Sequence, residues 1–435
     1  MNIRKIALKL LLEHEGNGTF VNLSLQNHNA DKLNGEQRSF LTALLYTSVE
    51  RKLTLDYLVG ALASRSPDSL DATTKGILRL GLCQLLYMKK IPAFAAVNET
   101  VKLCRNDGER RLVNFVLREA LRRIDARPYP PREKNAARYL SVFYSVPLWI
   151  VKTLIRELGE DAAEQYLIAI NREAPLTIAV NTARISRDAY AALLDEAGIR
   201  FEKTERSPLG IRILDHTRIP DLVGFAEGYF FVQDEASQLV SLVLCPMAGE
   251  RVIDVCACPG GKSFGAAILA EDRAEIFSFD LHESKLSLVR DGAQRLGLSS
   301  ICVGQNDATA PKEELVGTAD RVICDVPCSG LGVLSKKPDL RYKSEEAVAE
   351  LAALGYDILC ASSAYLKTGG TLVYSTCTVR REENEEVVSR FLAENTSFVL
   401  KGFAIGEHPY EAGMLRTYPH TDGTDGFFIA KLRRV

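Results

Sequence analysis

Two cysteines and one aspartate stand where buried strands of this sequence are expected to end. The apolar segment 321–325 leads into Asp325 and Cys328, and the apolar segment 371–376 leads into Cys377. The carboxyl ends of neighbouring parallel strands share one edge of a sheet, so we expect these side chains to line one pocket. A lone cysteine is most often a small buried residue. Two cysteines at strand ends beside polar turns and a carboxyl group instead favour covalent catalysis by a thiolate.

A second chemical motif lies in the segment 252–263, which reads Val-Ile-Asp-Val-Cys-Ala-Cys-Pro-Gly-Gly-Lys-Ser. An apolar strand runs into the turn Gly260-Gly261 and then into a helix, which brings backbone N–H groups close to a ligand. A phosphate-binding P-loop would need glycine at position 256, which is Cys256, and no Gly-x-Gly-x-x-Gly spacing occurs. Asp280 ends the next strand, where a carboxylate is suited to ribose hydroxyls. A purely structural glycine turn explains this combination poorly, so we predict a cofactor pocket here.

The residue pair Pro327-Cys328 indicates which kind of transfer the pocket could perform. Methylation of an exocyclic amine usually needs a Pro-Pro-aromatic step, whereas Pro-Cys favours a thiol mechanism. A thiolate that adds to carbon 6 of cytosine makes carbon 5 nucleophilic toward an electrophilic methyl group, and the adduct later loses a proton and expels the thiol. Asp325 is the candidate acid or hydrogen-bond partner for the base. From the residues alone, either Cys328 or Cys377 could be the attacking thiol.

The composition is that of a folded protein of two to four domains, with 435 residues, 46% of them hydrophobic and 25% charged. We find no apolar run near the ~18–20 residues that cross a bilayer and no signal peptide, so we expect a cytoplasmic protein. Ten cysteines are spread without the spacing of a disulfide framework. The close pairs Cys256/Cys258 and Cys324/Cys328 lack a second pair or a nearby histidine, so no metal site is expected.

Charge is distributed unevenly along the chain. Residues 1–127 contain 20 Lys and Arg against 13 Asp and Glu, a net charge of +7, and the remainder carries −9. A basic module joined to an acidic one favours a polyanionic partner for the basic part, although a solvated helix face carries similar charges.

Hydrophobic periodicity predicts the domain organisation. Residues 1–127 read as an all-α bundle, the proline-rich segment 128–137 as a linker, and residues 138–235 as a small α/β module. Residues 236–435 alternate strand and helix, which predicts a parallel sheet of the Rossmann-like type covered on both faces. The predicted strands are Arg251–Cys256, Glu275–Asp280, Ser300–Val303, Arg321–Asp325, Thr371–Thr376 and Gly426–Leu432.

Together these motifs resemble the bacterial ribosomal-RNA cytosine-C5 methyltransferases of the Sun/Fmu type, within the NOL1/NOP2/Sun family. The resemblance rests on the Cys-Pro-Gly-Gly-Lys, Asp-Val-Pro-Cys and Ser-Thr-Cys-Thr motifs and extends over nearly the whole chain. It implies a NusB-like RNA-binding domain at 1–127, an RRM-like module at 138–235 and an S-adenosylmethionine-dependent methyltransferase domain at 236–435. It also implies a specific cytosine of small-subunit (16S) ribosomal RNA as target, and no DNA, membrane or metal partner.

The resemblance further implies a role for each motif residue. Cys377 would be the nucleophile that bonds to cytosine C6, Cys328 would assist product release, and Asp325 would lie between cofactor and base. Asp280 would hold the ribose of S-adenosylmethionine and Asp307 would lie by its adenine. The rest of the cofactor pocket would be formed by Cys256, Ala257, Cys258, Pro259, Gly260, Gly261 and Lys262.

One departure from the family pattern is Cys258, which replaces the usual alanine, and we expect this third thiol to be non-catalytic. The alternative to an enzyme is an RNA-binding assembly factor with a vestigial transferase fold. Retention of Asp325, Cys328 and Cys377 argues against that alternative.

Overall fold

The computed structural model of the chain describes residues 2–17, 25, 33–215 and 217–435. These residues divide into two compact units, one formed by Met1–Asn171 with Lys337–Tyr342 and the other by Arg172–Lys336 with Lys343–Val435. Parts of the predicted helical domain, residues 18–24 and 26–32, lie outside the described residues.

The first unit is helical where it is described, as the sequence predicts. Its central helix, α4 (Ala72–Tyr87), is buried on all sides along its middle, where Ile77, Leu78 and Leu80 are fully buried. Polar residues begin several helices: Asp71 caps α4 and Asn106 caps α6, each accepting hydrogen bonds from backbone N–H groups of the first turn. The helices are α1 (Ile3–Asn17), α2 (Gly35–Glu50), α3 (Lys52–Ala63), α4 (Ala72–Tyr87), α5 (Ala93–Val101), α6 (Asp107–Arg122), α7 (Ala136–Tyr144), α8 (Leu148–Leu158) and α9 (Glu160–Ala169).

This unit extends beyond the sequence-derived limit at residue 127. The segment 128–137 is mostly irregular, but α7–α9 belong to the same compact unit as α1–α6. The distant segment 337–342 completes it. There the fully buried Arg341 guanidinium donates hydrogen bonds to the carbonyl oxygens of Ser145 and Ile170 and to Asn171 Oδ1, at 3.1–3.3 Å.

The second unit contains a small antiparallel sheet in the order β2-β3-β1-β4. The buried side chains of Ile178, Ile211 and Phe230 pack with Tyr190 and Leu194 of helix α10 (Arg187–Glu196). An α/β fold is present as predicted, although its predicted start at residue 138 lies in a helix of the first unit. The strands are β1 (Leu176–Val180), β2 (Phe201–Lys203), β3 (Gly210–Ile213) and β4 (Phe230–Val232).

The large sheet of the second unit has the order β10-β14-β9-β8-β5-β6-β7, with β13 also paired to β14. Strands β5 to β9 run parallel, whereas β14 runs antiparallel to β9. The prediction that segment 426–432 continues a parallel sheet is therefore wrong. The end of the chain folds back on itself as the antiparallel pair β13–β14, which a short connection permits, and β14 of this pair lies beside β9. The strands are β5 (Arg251–Asp254), β6 (Glu275–Asp280), β7 (Ile301–Gln305), β8 (Ala319–Asp325), β9 (Leu366–Thr376), β10 (Phe398–Leu400), β13 (Met414–Thr417) and β14 (Phe427–Arg434); β11 (Phe403–Ile405) and β12 (His408–Tyr410) form a separate ribbon.

Side chains of the parallel strands alternate between two buried faces. Val252 and Val373 pack with α11, α12 and α13, whereas Ile253 and Leu372 pack with α14 and α15. From β5 the chain first builds β6 and β7 on one side and then β8 and β9 on the other, so the sheet order reverses between β5 and β8. Ligands bind at such a point, beyond the carboxyl ends of the strands. The helices are α11 (Glu235–Leu244), α12 (Gly261–Leu269), α13 (Glu283–Leu296), α14 (Glu345–Ser363), α15 (Glu385–Glu394) and α16 (Pro419–Asp422).

Candidate active site

The glycine turn after β5 is shaped by close packing. Gly260 has φ +115° and donates its N–H to the carbonyl of Ala257 at 2.6 Å. A Cβ at Gly260 would lie 2.3 Å from the ring of Phe264, so another residue would not fit there. Helix α12 begins at Gly261 without a side-chain N-cap among the described residues. Its first N–H groups therefore remain directed at the space beyond β5, where a ligand can accept from them.

Two carboxyl groups border this turn. Asp280 Oδ2 accepts from the backbone N–H of Cys258 at 3.2 Å, which ties the turn to the end of β6. Asp254 is fully buried and accepts from Ser263 Oγ at 2.6 Å. Burial raises the pKa of Asp254 to about 7 because the charged form loses its hydration.

The thiols of the turn are poor nucleophiles in this environment. Burial, followed by the charge of Asp280, raises the pKa of Cys258 to about 12. Burial also raises the pKa of Cys256 well above its usual range, and the charges of Asp254 and Asp325 act in the same direction. Both groups are therefore neutral thiols at physiological pH.

Asp307 lies after β7, at the same edge of the sheet as Asp280. Its side chain is exposed and accepts from the backbone N–H and the Oγ1 of Thr309, at 2.9 and 2.7 Å. These hydrogen bonds lower the pKa of Asp307, so it is a carboxylate at neutral pH.

Asp325 connects the cofactor turn to the strand that carries Cys377. Its Oδ2 accepts from Lys262 Nζ at 2.5 Å, and its Oδ1 accepts from Ser375 Oγ at 2.7 Å. Ser375 lies directly opposite Asp325 in the pairing of β8 with β9. Burial alone would lower the pKa of Lys262, but the charge and hydrogen bond of Asp325, followed by the charge of Cys377, raise it. Lys262 is therefore a cation close to both Asp325 and Cys377.

The two predicted catalytic cysteines meet at the ends of β8 and β9. Cys328 Sγ and Cys377 Sγ are 3.2 Å apart, within hydrogen-bonding distance for sulfur. The hydrogen bond with Cys377, together with burial, raises the pKa of Cys328 well above that of a free thiol. Cys328 is therefore a neutral thiol at physiological pH, and either of the two thiols could donate to the other across this distance.

Residues that the sequence analysis did not single out surround the two thiols. Ser375 orients Asp325, while Glu383 and Asn384 lie fully buried behind the cysteines and bond to residues beside them. The only signal in the sequence was an acid and an amide six and seven residues after Cys377, inside an acidic run typical of an exposed helix face.

Comparison with known proteins assigns a family to this arrangement. Residues 241–433 match the family described as 16S rRNA methyltransferase RsmB/F, residues 1–122 match the NusB family, and residues 146–219 match the ferredoxin-like domain of RsmF/B-like methyltransferases. The probable ribosomal RNA small subunit methyltransferase B of Bacillus subtilis (strain 168) is 35% identical over 448 residues, covering 100% of this chain and 99% of its own. The chain belongs to the RsmB/F methyltransferase family.

Other relatives agree with this assignment. The ribosomal RNA small subunit methyltransferase B of Klebsiella pneumoniae (strain 342) is 33% identical, over 92% of this chain and 91% of its own. The crystal structure of PH0851 superimposes with a TM-score of 0.81 at 26% identity, over 100% of this chain and 99% of that one. A methyltransferase homologue from Pyrococcus horikoshii gives a TM-score of 0.61 at 26% identity, over 69% and 99% of the two chains.

This RsmB/F family member is therefore an S-adenosylmethionine-dependent RNA methyltransferase, as the sequence predicts. The residues after β5 and β6 fit that cofactor. The N–H groups at the start of α12 suit an anionic end of the cofactor. Within residues 2–17, 25, 33–215 and 217–435 there is no cluster of three metal-ligating side chains and no helix long and apolar enough to span a membrane.

Proposed function

We propose that this protein transfers a methyl group from S-adenosylmethionine to carbon 5 of a cytosine in small-subunit ribosomal RNA, through a covalent bond between Cys377 Sγ and cytosine C6. The observation that carries the proposal is the pair of thiols 3.2 Å apart beside the Asp325–Lys262 ion pair. The names of the relatives support ribosomal RNA as substrate, and with that substrate we propose a cytoplasmic location.

The first step forms the bond between Cys377 and the base. The Cys377 thiolate adds to C6, and the electron pair of the C5–C6 double bond moves onto C5 and the ring. Lys262 favours the thiolate by its charge and, oriented by Asp325, is placed to hydrogen-bond to the base as its negative charge grows. Asp325 is ion-paired with Lys262 and accepts a hydrogen bond from it. In this proposal Lys262 is therefore the group that donates a hydrogen bond to the base.

The cofactor residues hold the methyl donor against this activated base. S-adenosylmethionine, when bound, supplies the electrophilic methyl group. Asp280 ends β6 and Asp307 follows the neighbouring strand β7, and in this proposal they bind the ribose and the adenine of the cofactor, while residues 256–262 surround the rest.

Release of the product requires a bond to break at Cys377. When C5 gives its proton to solvent water, the electron pair of the C5–H bond re-forms the C5–C6 double bond, and the electron pair of the C6–S bond returns to the sulfur of Cys377. In this proposal Cys328 stabilises the departing sulfur, because its neutral thiol lies 3.2 Å away and can donate a hydrogen bond to it.

The two cysteine variants test this order of events. Cys377→Ala should abolish methyl transfer while S-adenosylmethionine binding persists, because in this proposal Cys377 bonds to the base and not to the cofactor. Cys328→Ala should retain a covalent protein–RNA adduct, seen as a shifted band on a denaturing gel, because departure from Cys377 is slowed. Cys245→Ala, at an exposed cysteine, is the matched control. Undiminished turnover by Cys377→Ala would refute the mechanism.

The target is tested by a separate experiment, which maps 5-methylcytosine in ribosomal RNA from cells with and without the protein.

A further inference from the structure

A buried polar cluster lies behind the two catalytic loops and is formed by Ser329, Thr376, Thr378, Glu383 and Asn384. We propose that Glu383 is a positioning residue that holds the Pro-Cys loop against the Ser-Thr-Cys-Thr loop, so that the two thiols meet. This inference rests on the proposed function for its meaning in catalysis, and its geometric part can be tested without RNA.

Glu383 holds the first loop by two bonds to one residue. Its Oε2 accepts from the backbone N–H of Ser329 and its Oε1 accepts from Ser329 Oγ, both at 2.7 Å. Ser329 directly follows Cys328, so these bonds fix the backbone that carries the thiol. Ser329 Oγ donates to Glu383 and therefore accepts from Thr378 Oγ1, at 2.7 Å. One chain of hydrogen bonds thus runs from the residue after Cys377, through the residue after Cys328, to the carboxylate.

Asn384 holds the second loop on both sides of the nucleophile. Its Oδ1 accepts from Thr376 Oγ1 at 2.6 Å, and its Nδ2 donates to the carbonyl of Thr378 at 3.0 Å. The backbone of the same segment is fixed from the core, since the hydroxyl of Tyr374 donates to the carbonyl of Glu383 at 2.7 Å. Glu383 therefore holds the Pro-Cys loop, and the next residue, Asn384, holds the Ser-Thr-Cys-Thr loop.

A carboxylate matches this arrangement better than an amide does. Both oxygens of Glu383 accept hydrogen bonds from Ser329, and a glutamine would offer one acceptor and one N–H₂ donor in their place. Burying a charged group without need is costly, and the side chain of Glu383 is only 2% exposed. Burial raises the pKa of Glu383, and the hydrogen bonds from Ser329 oppose this. A carboxylate kept at such a site is better explained by positioning than by stability alone.

The first arm of the test separates positioning from binding. Glu383→Gln should lower kcat for methyl transfer about 100-fold, the loss expected for a displacement near 1 Å, while KM for S-adenosylmethionine changes less than about twofold. Glu386→Gln, at an exposed carboxylate three residues on, is the matched control and should keep the parental kcat. Wild-type kcat in Glu383→Gln would overturn the inference.

The second arm tests whether the two thiols lie close together, by measuring how fast they form a disulfide in the absence of RNA. Diamide oxidises two neighbouring thiols to a disulfide and is itself reduced to the hydrazine, and peptide mapping by mass spectrometry reports the Cys328–Cys377 linkage. Glu383→Gln should form this linkage about tenfold more slowly than the parent protein. An unchanged cross-linking rate with lost activity would overturn the positioning role. If cross-linking is slowed in Glu383→Gln but the parent protein itself makes no 5-methylcytosine, the positioning role is supported and the proposed function is rejected.

Ser329→Ala keeps the test decisive if Glu383→Gln does not fold. This change removes the hydroxyl bond and leaves the carboxylate its bond to the backbone N–H of residue 329. We expect an intermediate loss, about tenfold in kcat, and a correspondingly slower cross-link. Full activity in this variant would contradict the proposed chain of hydrogen bonds.

Discussion

Replacing Gly332 by alanine should disturb the catalytic cysteine without touching its side chain. Gly332 donates its N–H to the carbonyl of Cys377 at 3.0 Å, and its own carbonyl accepts from the N–H of Gly426 at 2.9 Å. A Cβ on Gly332 would lie 1.8 Å from the carbonyl oxygen of Gly426 and 2.5 Å from its carbonyl carbon. These atoms are backbone, so no side-chain rotation can relieve the overlap.

The size of the effect follows from these contacts. Overpacking a well-filled interior costs about 1–3 kcal/mol. Because backbone must move here, and because the two hydrogen bonds weaken by about 0.5–1.5 kcal/mol each, we expect a loss of about 3 kcal/mol or more. For a unit of this size that loss lowers Tm by about 6–12 °C. Since the moving backbone carries Cys377, kcat should also fall by about 100-fold.

Calorimetry of the full-length protein and a methyl-transfer assay with ribosomal RNA measure the two effects of Gly332→Ala. Gly35→Ala is the matched control, because a Cβ at Gly35, the first residue of α2, would meet nothing within 4 Å. The control should melt at or slightly above the parental temperature. If Gly332→Ala melts within about 1 °C of the parent and turns over at the parental rate, the close approach of Gly332 to Gly426 does not hold the loop of Cys377.

Two further predictions concern pH and salt. Burial raises the pKa of Asp254 to about 7, so the folded state binds a proton at this carboxyl group more tightly than the unfolded state does. The contribution of Asp254 to stability is therefore largest below about pH 4 and is lost as the pH rises to about 7. Asp254→Asn should remove this dependence and raise Tm at pH 8 relative to the parent; parallel pH–Tm curves for the two proteins would refute it. Arg118 and Arg122 are exposed on α6 in the basic first unit, so Arg118→Gln with Arg122→Gln should reduce the slope of log affinity for RNA against log salt by about 1–2. Fluorescence anisotropy over a salt series measures this slope, and an unchanged slope would exclude these arginines from the RNA contact.

The sequence by itself determined the elements that carry the cofactor turn and the two thiols. Strand β6 spans the predicted Glu275–Asp280, and Cys328 and Cys377 follow adjacent parallel strands, as expected. Alternating apolar residues and a Gly-Gly turn depend on near neighbours in the chain, so they can be recognised locally. The family resemblance, carried by the same motifs, supplied the ranking of the two thiols as a prediction.

Only the tertiary structure decided which distant residues meet at the site. Glu383 and Asn384 belong to an acidic run that is locally like an exposed helix face, and their burial follows from packing against loops that end different strands. The antiparallel direction of β14 and the inclusion of residues 337–342 in the first unit likewise depend on pairings between parts of the chain far apart in sequence. Local periodicity records which face of an element is apolar, but it does not record which surface that face will cover.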